Sequence, residues 1–263
     1  MRLTCVAVVD RSRMFKGARS AILDRIVQAV QTQVERDFCP AWGRHPLPIL
    51  RVEDNDPVPL GSALVYLVDK IEVVAGAVGF HRADPMGFFS GSVAVESIAR
   101  LGGTMTSGGN SVSAALSHEV LEVIANPGVN YWVERNPSEL FAMEVCDPVS
   151  ADSYEVEVGS AGEGNKSTVS VSNFVYPDWF HPFASSGSWY DHMQRLDSPF
   201  SCLPGGYVSV KGAGGMERRF DEKVPVLKRL RIANWGRSAR AKDALEESSV
   251  IASRRTADPI DMV

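Results

Sequence analysis

Apolar residues along this chain switch between two periods, and the switches mark its elements. Within residues 18–38 they recur every four positions at Ile22, Ile26, Val30 and Val34, with Leu23 and Val27 alongside, the spacing of one helical face. Cys39-Pro40 is expected to end that helix, because proline has no N–H to continue the ladder. Residues 3–9 are β-rich and predict the first strand. Residues 49–52 predict a second, and 64–68 and 73–80 two more, parted by a turn near Asp69-Lys70.

Residues 111–128, SVSAALSHEVLEVIANPG, carry the next helical pattern. Val112, Leu116, Val120, Val123 and Ile124 gather on one arc, while His118 and Glu122, four apart, stack on another with Glu119 beside them. Ser111 or Ser113 can cap the start, and Asn126-Pro127-Gly128 supplies the stop. The expectation is a site built on a packed helix; the plain alternative is that His118, Glu119 and Glu122 form a solvated helix face.

The run between, residues 81–110, is dense in glycine, with a short strand candidate at 92–98, and predicts a mobile connection able to shape a cleft. Beyond Gly128, residues 141–145 and 154–158 predict paired strands and 167–175 a third. Aromatics between prolines at 177–192 predict a folded loop packed on the body. From Gly212 the pattern changes: GAGG reads as a hinge, and residues 217–263 are rich in Lys and Arg without an apolar stripe. The expected organisation is a domain over 1–211 and a basic tail over 212–263.

Composition narrows the function classes. The 263 residues are 44% hydrophobic, enough for a full core, and a formal net charge of −5 gives no reason to expect nucleic acid as partner of the main body. Four cysteines, Cys5, Cys39, Cys146 and Cys202, form no CxxC pair and read as reduced thiols. The opening apolar run is too brief for a signal peptide, and no apolar segment is long enough to span a bilayer. A soluble protein, cytoplasmic or virion-associated, is the expectation.

His118-Glu119-x-x-Glu122 differs by one residue from the zinc motif in which two histidines at i and i+4 hold the ion and the intervening glutamate is the general base. Zinc accepts a carboxylate oxygen at nearly the distance of an imidazole nitrogen, so Glu122 can stand where the second histidine would. With the order of elements, an N-terminal helix and small mixed sheet, the motif helix, then an irregular half with short strands, the chain resembles the zincin fold of metallopeptidases, an α+β class. The resemblance covers roughly residues 3–206. In the gluzincin branch a later glutamate is the third ligand; Glu144 stands at a comparable separation from Glu122, with Asp147 close behind. Gly128 occupies the place of a metzincin's third histidine, which excludes that branch. The stretches SHEVLEVIANP, EVCDPVSADSY and VSNFVYPDWF are also similar to poorly characterised bacterial and phage proteins with an HExxE helix.

The resemblance implies zinc held by His118, Glu122 and one of Glu144 or Asp147, with the fourth position left to water and Glu119 as the base that activates it. Cys146 is a lower-ranked ligand. Tyr154, His181 and His192 are candidates to stabilise an oxyanion. The expected function is a zinc-dependent hydrolase cutting a peptide or amide bond of a peptide or protein substrate. The competing expectation is a structural or assembly protein, such as a phage virion component, with a degenerate or structural metal site and a tail held by neighbouring subunits.

Overall fold

The structure, a computed structural model, describes residues 3–71, 78–83, 88–150, 152–159, 167–185 and 187–220. It combines few helices with three sheets. The largest sheet contains β1 (Cys5–Asp10), β2 (Ile49–Val52), β3 (Ser62–Val68), β4 (Gly79–Ala83) and β5 (Phe89–Ala94) in the order β2-β1-β3-β5-β4. All its neighbours are parallel except β4, which pairs antiparallel with β5 and forms an edge. Every residue of β1 is buried, as expected of a central parallel strand covered on both faces. The period of two divides it: Val6 and Val8 enter the main core, whereas Ala7 and Val9 join Leu64 and Tyr66 in a smaller cluster.

Helix α1 (Ser20–Gln33) places Leu23, Ile26, Val27 and Val30 in the main core. It does not stop at Cys39-Pro40. A π-helical turn at Val34–Phe38 leads into a short helix, α2 (Cys39–Ala41). A proline ring in a regular helix clashes with the carbonyl four residues back; the widened turn, with Cys39 N–H donating to Val34 O, removes that conflict. The strand expected at 73–80 falls partly on residues 72–77, outside the described residues; β4 takes up its end and runs on into the expected loop. The strand candidate at 92–98 splits into β5 and helix α3 (Val95–Arg100).

Helix α4 (Val112–Ala125) is bounded as its sequence predicts. Ser111 Oγ accepts the Ala114 N–H at 3.1 Å, and Arg44 donates to the terminal carbonyls of Ile124 and Ala125 at 2.9 and 3.0 Å, a cation where the helix dipole favours one. The helix packs between the main sheet, α1 and the hairpin of β8 (Ser153–Val158) and β9 (Ser167–Ser172). Ser113 Oγ donates to Ser170 O and Ser117 Oγ accepts from Ser172 N, each at 2.6 Å, tying α4 to β9. With neighbours on every side, α4 has no solvated face. Glu119 and Glu122 are buried among core elements, which fits a packed helix and rules out the alternative of a solvated face.

The remaining sheet has the order β11-β10-β7-β6, from β6 (Trp132–Asn136), β7 (Glu139–Ala142), β10 (Tyr207–Gly212) and β11 (Gly215–Phe220). Two expectations change here. Residues 141–145 do not pair with 154–158: β7 pairs with β6 and β10, then the chain turns through the 3-10 segment Asp147–Val149, and β8 pairs with β9 so that Val156, Val158, Val169 and Val171 are buried together. The glycine-rich hinge is a tight hairpin turn, since β11 pairs with β10 along its whole length; the expected boundary at 212 therefore falls inside a sheet. The rest of the expected tail, residues 221–263, lies outside the described residues. Among the described residues no helix is long and apolar enough to cross a membrane.

Candidate metal centre

Three elements converge on the end of α4. From α4 come His118, Glu119 and Glu122; from the edge strand β4 comes His81; from the bend after β7 come Glu144, Cys146 and Asp147. Packing sets these positions. A β-carbon at Gly79 would collide with Glu119 Oε1, so the bare backbone of β4 is what lets that carboxylate lie against the strand. A β-carbon at Gly206 would collide with the Pro148 carbonyl, so the turn bearing Asp147 sits directly on the start of β10. Glu122 Oε1 accepts the Cys146 N–H at 3.3 Å, which fastens the bend to α4.

His118 Nε2 lies 3.2 Å from Glu122 Oε1 and 3.3 Å from Asp147 Oδ1. His81 Nδ1 lies 3.1 Å from Glu122 Oε2 and 3.6 Å from Glu119 Oε2, while its Nε2 lies 3.3 Å from Glu144 Oε2. The side chains are 16% exposed at His118, 12% at Glu144, 6% at His81, 5% at Glu119 and 4% at Glu122, so these charges interact through protein with little screening by water. Taking one donor atom per residue, His118, Glu122 and Cys146 lie within 4.8 Å of one another, as do His81, Glu122 and Glu144.

The fields are strong. Burial opposes protonation of both imidazoles, but Glu144 and the other carboxylates facing His81, and Glu122 and Asp147 facing His118, raise their pKa values well above the ordinary range. Burial would also raise Glu122, yet His118 and His81 hold it well below the usual carboxylate range. Glu144 goes the other way, pushed up to about 7 by burial against the attraction of His81. Burial likewise raises Glu119, Asp147 and the Cys146 thiol.

A divalent cation fits these residues on three grounds. The donors are imidazole nitrogen, carboxylate oxygen and thiol sulfur, the set zinc uses. Bonds of about 2.0–2.1 Å in a tetrahedron put donors about 3.3 Å apart, and His118 Nε2 has that spacing from both Glu122 and Asp147. Finally, His81 Nε2, Glu119 Oε2 and Glu144 Oε2 are buried without a hydrogen-bond partner, a costly state that a cation with its coordinated water relieves. Four carboxylates also outnumber two imidazoles, so even two imidazolium ions leave an excess of negative charge if every acid is ionised.

The expected residues thus separate into two groups. Asp147 approaches His118, whereas Glu144 approaches His81. Tyr154 Oη donates to Asp37 at 2.8 Å and accepts from Gln33 at 3.2 Å. His192 stacks on Phe174 with its Nδ1 3.1 Å from Tyr176 Oη, and His181 is exposed beside Phe183. A phenol that does reach the cluster is Tyr207 on β10, hydrogen-bonded to Asp147 and within the field of Glu122. Sequence reasoning missed Tyr207 and His81. For His81 the available signal was one of only five histidines standing directly after an apolar run; for Tyr207 there was none.

Compared with known proteins, the chain matches no family model, no curated sequence and no solved structure.

Proposed function

We propose that this protein is a metal-dependent hydrolase of the metallopeptidase kind, acting on a peptide or amide bond. The observation that carries this reading is the approach of Asp147, from the bend after β7, to His118 of the HEVLE helix at 3.3 Å. His118, Glu122 and Asp147 would hold zinc, with Cys146 as a further donor beside them. Zinc held there would supply Lewis acidity towards water and a carbonyl oxygen. Glu119, with a pKa raised by burial and one oxygen unpartnered, is suited to take a proton from the attacking water and return it to the leaving amine. Tyr207 is suited to donate to a developing oxyanion, as a phenol whose proton is held by burial. The antiparallel strand β4, which carries His81, lies last in the main sheet and beside the cluster. A zincin-like fold is part of the same reading, supported by the HExxE helix packed against a mixed sheet whose edge strand runs antiparallel.

One observation favours a second reading. The cluster is nearly closed, with His118 its most open member, and a closed site suits a structural ion in an assembly protein. Zinc content and cleavage of a mixed peptide substrate, measured on wild type and Glu119→Gln, separate the two. Zinc in both with cleavage by wild type alone supports the hydrolase. Zinc in both without cleavage supports the structural ion, and no zinc in either removes both.

A further inference from the structure

We infer that the site holds two divalent cations, with Glu122 shared between them: one at His118 and Glu122, with Cys146 and Asp147 beside them, and a second at His81, Glu122 and Glu144. This deepens the metal-dependent reading above and rests on it. The two oxygens of Glu122 face different imidazoles, Oε1 towards His118 at 3.2 Å and Oε2 towards His81 at 3.1 Å. A carboxylate placed between two nitrogen donors in this way is the arrangement by which one acid bridges a pair of ions.

The second position has its own unmet demand. His81 Nε2 and Glu144 Oε2 face each other at 3.3 Å, both atoms are buried, and neither makes a hydrogen bond; the His81 side chain is 6% exposed. One imidazole nitrogen binds one ion, and a single donor atom each from His81, Glu122 and Glu144 lies within 4.8 Å of the others, so an ion among the three gives the buried Glu144 oxygen a partner. His81 arrives on β4, an element separate from α4, so the second half is assembled independently of the HExxE spacing.

The test uses the full chain, stripped with a chelator and titrated with Zn²⁺ alone, its stoichiometry read by calorimetry and elemental analysis. Two ions per wild-type chain are expected, falling to one in His81→Gln and in Glu144→Gln. Mn²⁺ loaded at two equivalents should give the broadened electron paramagnetic resonance spectrum of an exchange-coupled pair, and Glu122→Gln should abolish that coupling. Saturation at one Zn²⁺ with uncoupled Mn²⁺ overturns the inference while leaving the single-ion reading intact. Failure to bind any Zn²⁺ overturns both. Because the wild-type stoichiometry and spectrum stand alone, a variant that does not fold leaves the inference decidable.

Discussion

Asp147 Oδ1 lies 3.3 Å from His118 Nε2, and this approach joins α4 to the bend that follows β7. It depends on two backbone features rather than on side-chain reach. Asp147 begins a 3-10 turn with Pro148 in its first positions, and Gly206 leaves room for that turn to rest on β10. The acid is therefore held in place before any ligand arrives, which is how a metal site avoids an ordering cost on binding.

Removing the shared carboxylate should be the most damaging single change at the site. Glu122→Gln is expected to weaken Zn²⁺ binding by at least about 100-fold, since the loss of even an outer-shell partner costs 10–100-fold. Competition with a chromophoric chelator measures this, and an unchanged affinity would place the ion elsewhere.

The two tyrosines should separate cleanly. Tyr207→Phe is expected to lower turnover by about 10²-fold or more, the scale of losing an oxyanion donor, with zinc retained. Tyr154→Phe is expected to leave turnover unchanged and to cost about 1–2 kcal/mol of stability, because its hydroxyl is spent on Asp37 and Gln33. Equal losses of turnover in the two variants would contradict the placement.

The metal-free protein should lose stability as pH rises from 5 to 8. Glu144, ordinarily near 4.5 and here pushed up to about 7, keeps a proton in the folded state that the unfolded chain has released, so its linkage weakens the fold across that interval. His81 and His118, raised well above 6.5, contribute stability that is complete below that value and is lost as pH climbs through their folded values. Glu122 acts oppositely, but its contribution disappears only in strong acid. Zinc reverses the trend, because protons compete less for its ligands at higher pH. Thermal melts across this range, with chelator and with saturating Zn²⁺, should therefore diverge; parallel curves would speak against the cluster as the binding site.

The irregular half hangs on another acid. Asp191 is fully buried and accepts from Met193 N, Arg195 N, Leu196 N and Asn173 Nδ2 at 2.7–3.1 Å. Asp191→Ala strands these donors and should cost about 3 kcal/mol or more, read by urea denaturation. A loss below 1 kcal/mol would show that the loop re-pairs its backbone.

How much of this was legible in the sequence follows from the range of the forces involved. Helix α4 was bounded correctly because its signals are local: a serine cap, a repeating apolar arc, and Asn-Pro-Gly at the end. The first strand and residues 49–52 were found for the same reason. The continuation of α1 through Pro40 was hidden because a π turn leaves no compositional mark. What packs over α4 was equally hidden, since the hairpin of β8 and β9 that covers it is contributed by residues far along the chain. His81 belonged to a run whose glycines suggested mobile backbone; in the structure it stands in a paired strand, two residues after Gly79, whose missing β-carbon leaves room for Glu119 of α4. The choice between Glu144 and Asp147 needed tertiary structure, because both lie in one short bend and differ only in the imidazole each one meets.

The central claim, a divalent cation held between the HEVLE helix and the bend after β7, is tested most directly by anomalous diffraction at the zinc absorption edge from crystals of the zinc-loaded full chain. The account predicts a peak about 2.0–2.2 Å from His118 Nε2 and from a Glu122 oxygen. Anomalous density confined to other surfaces, with His118 and Asp147 bonded only to each other, would contradict it.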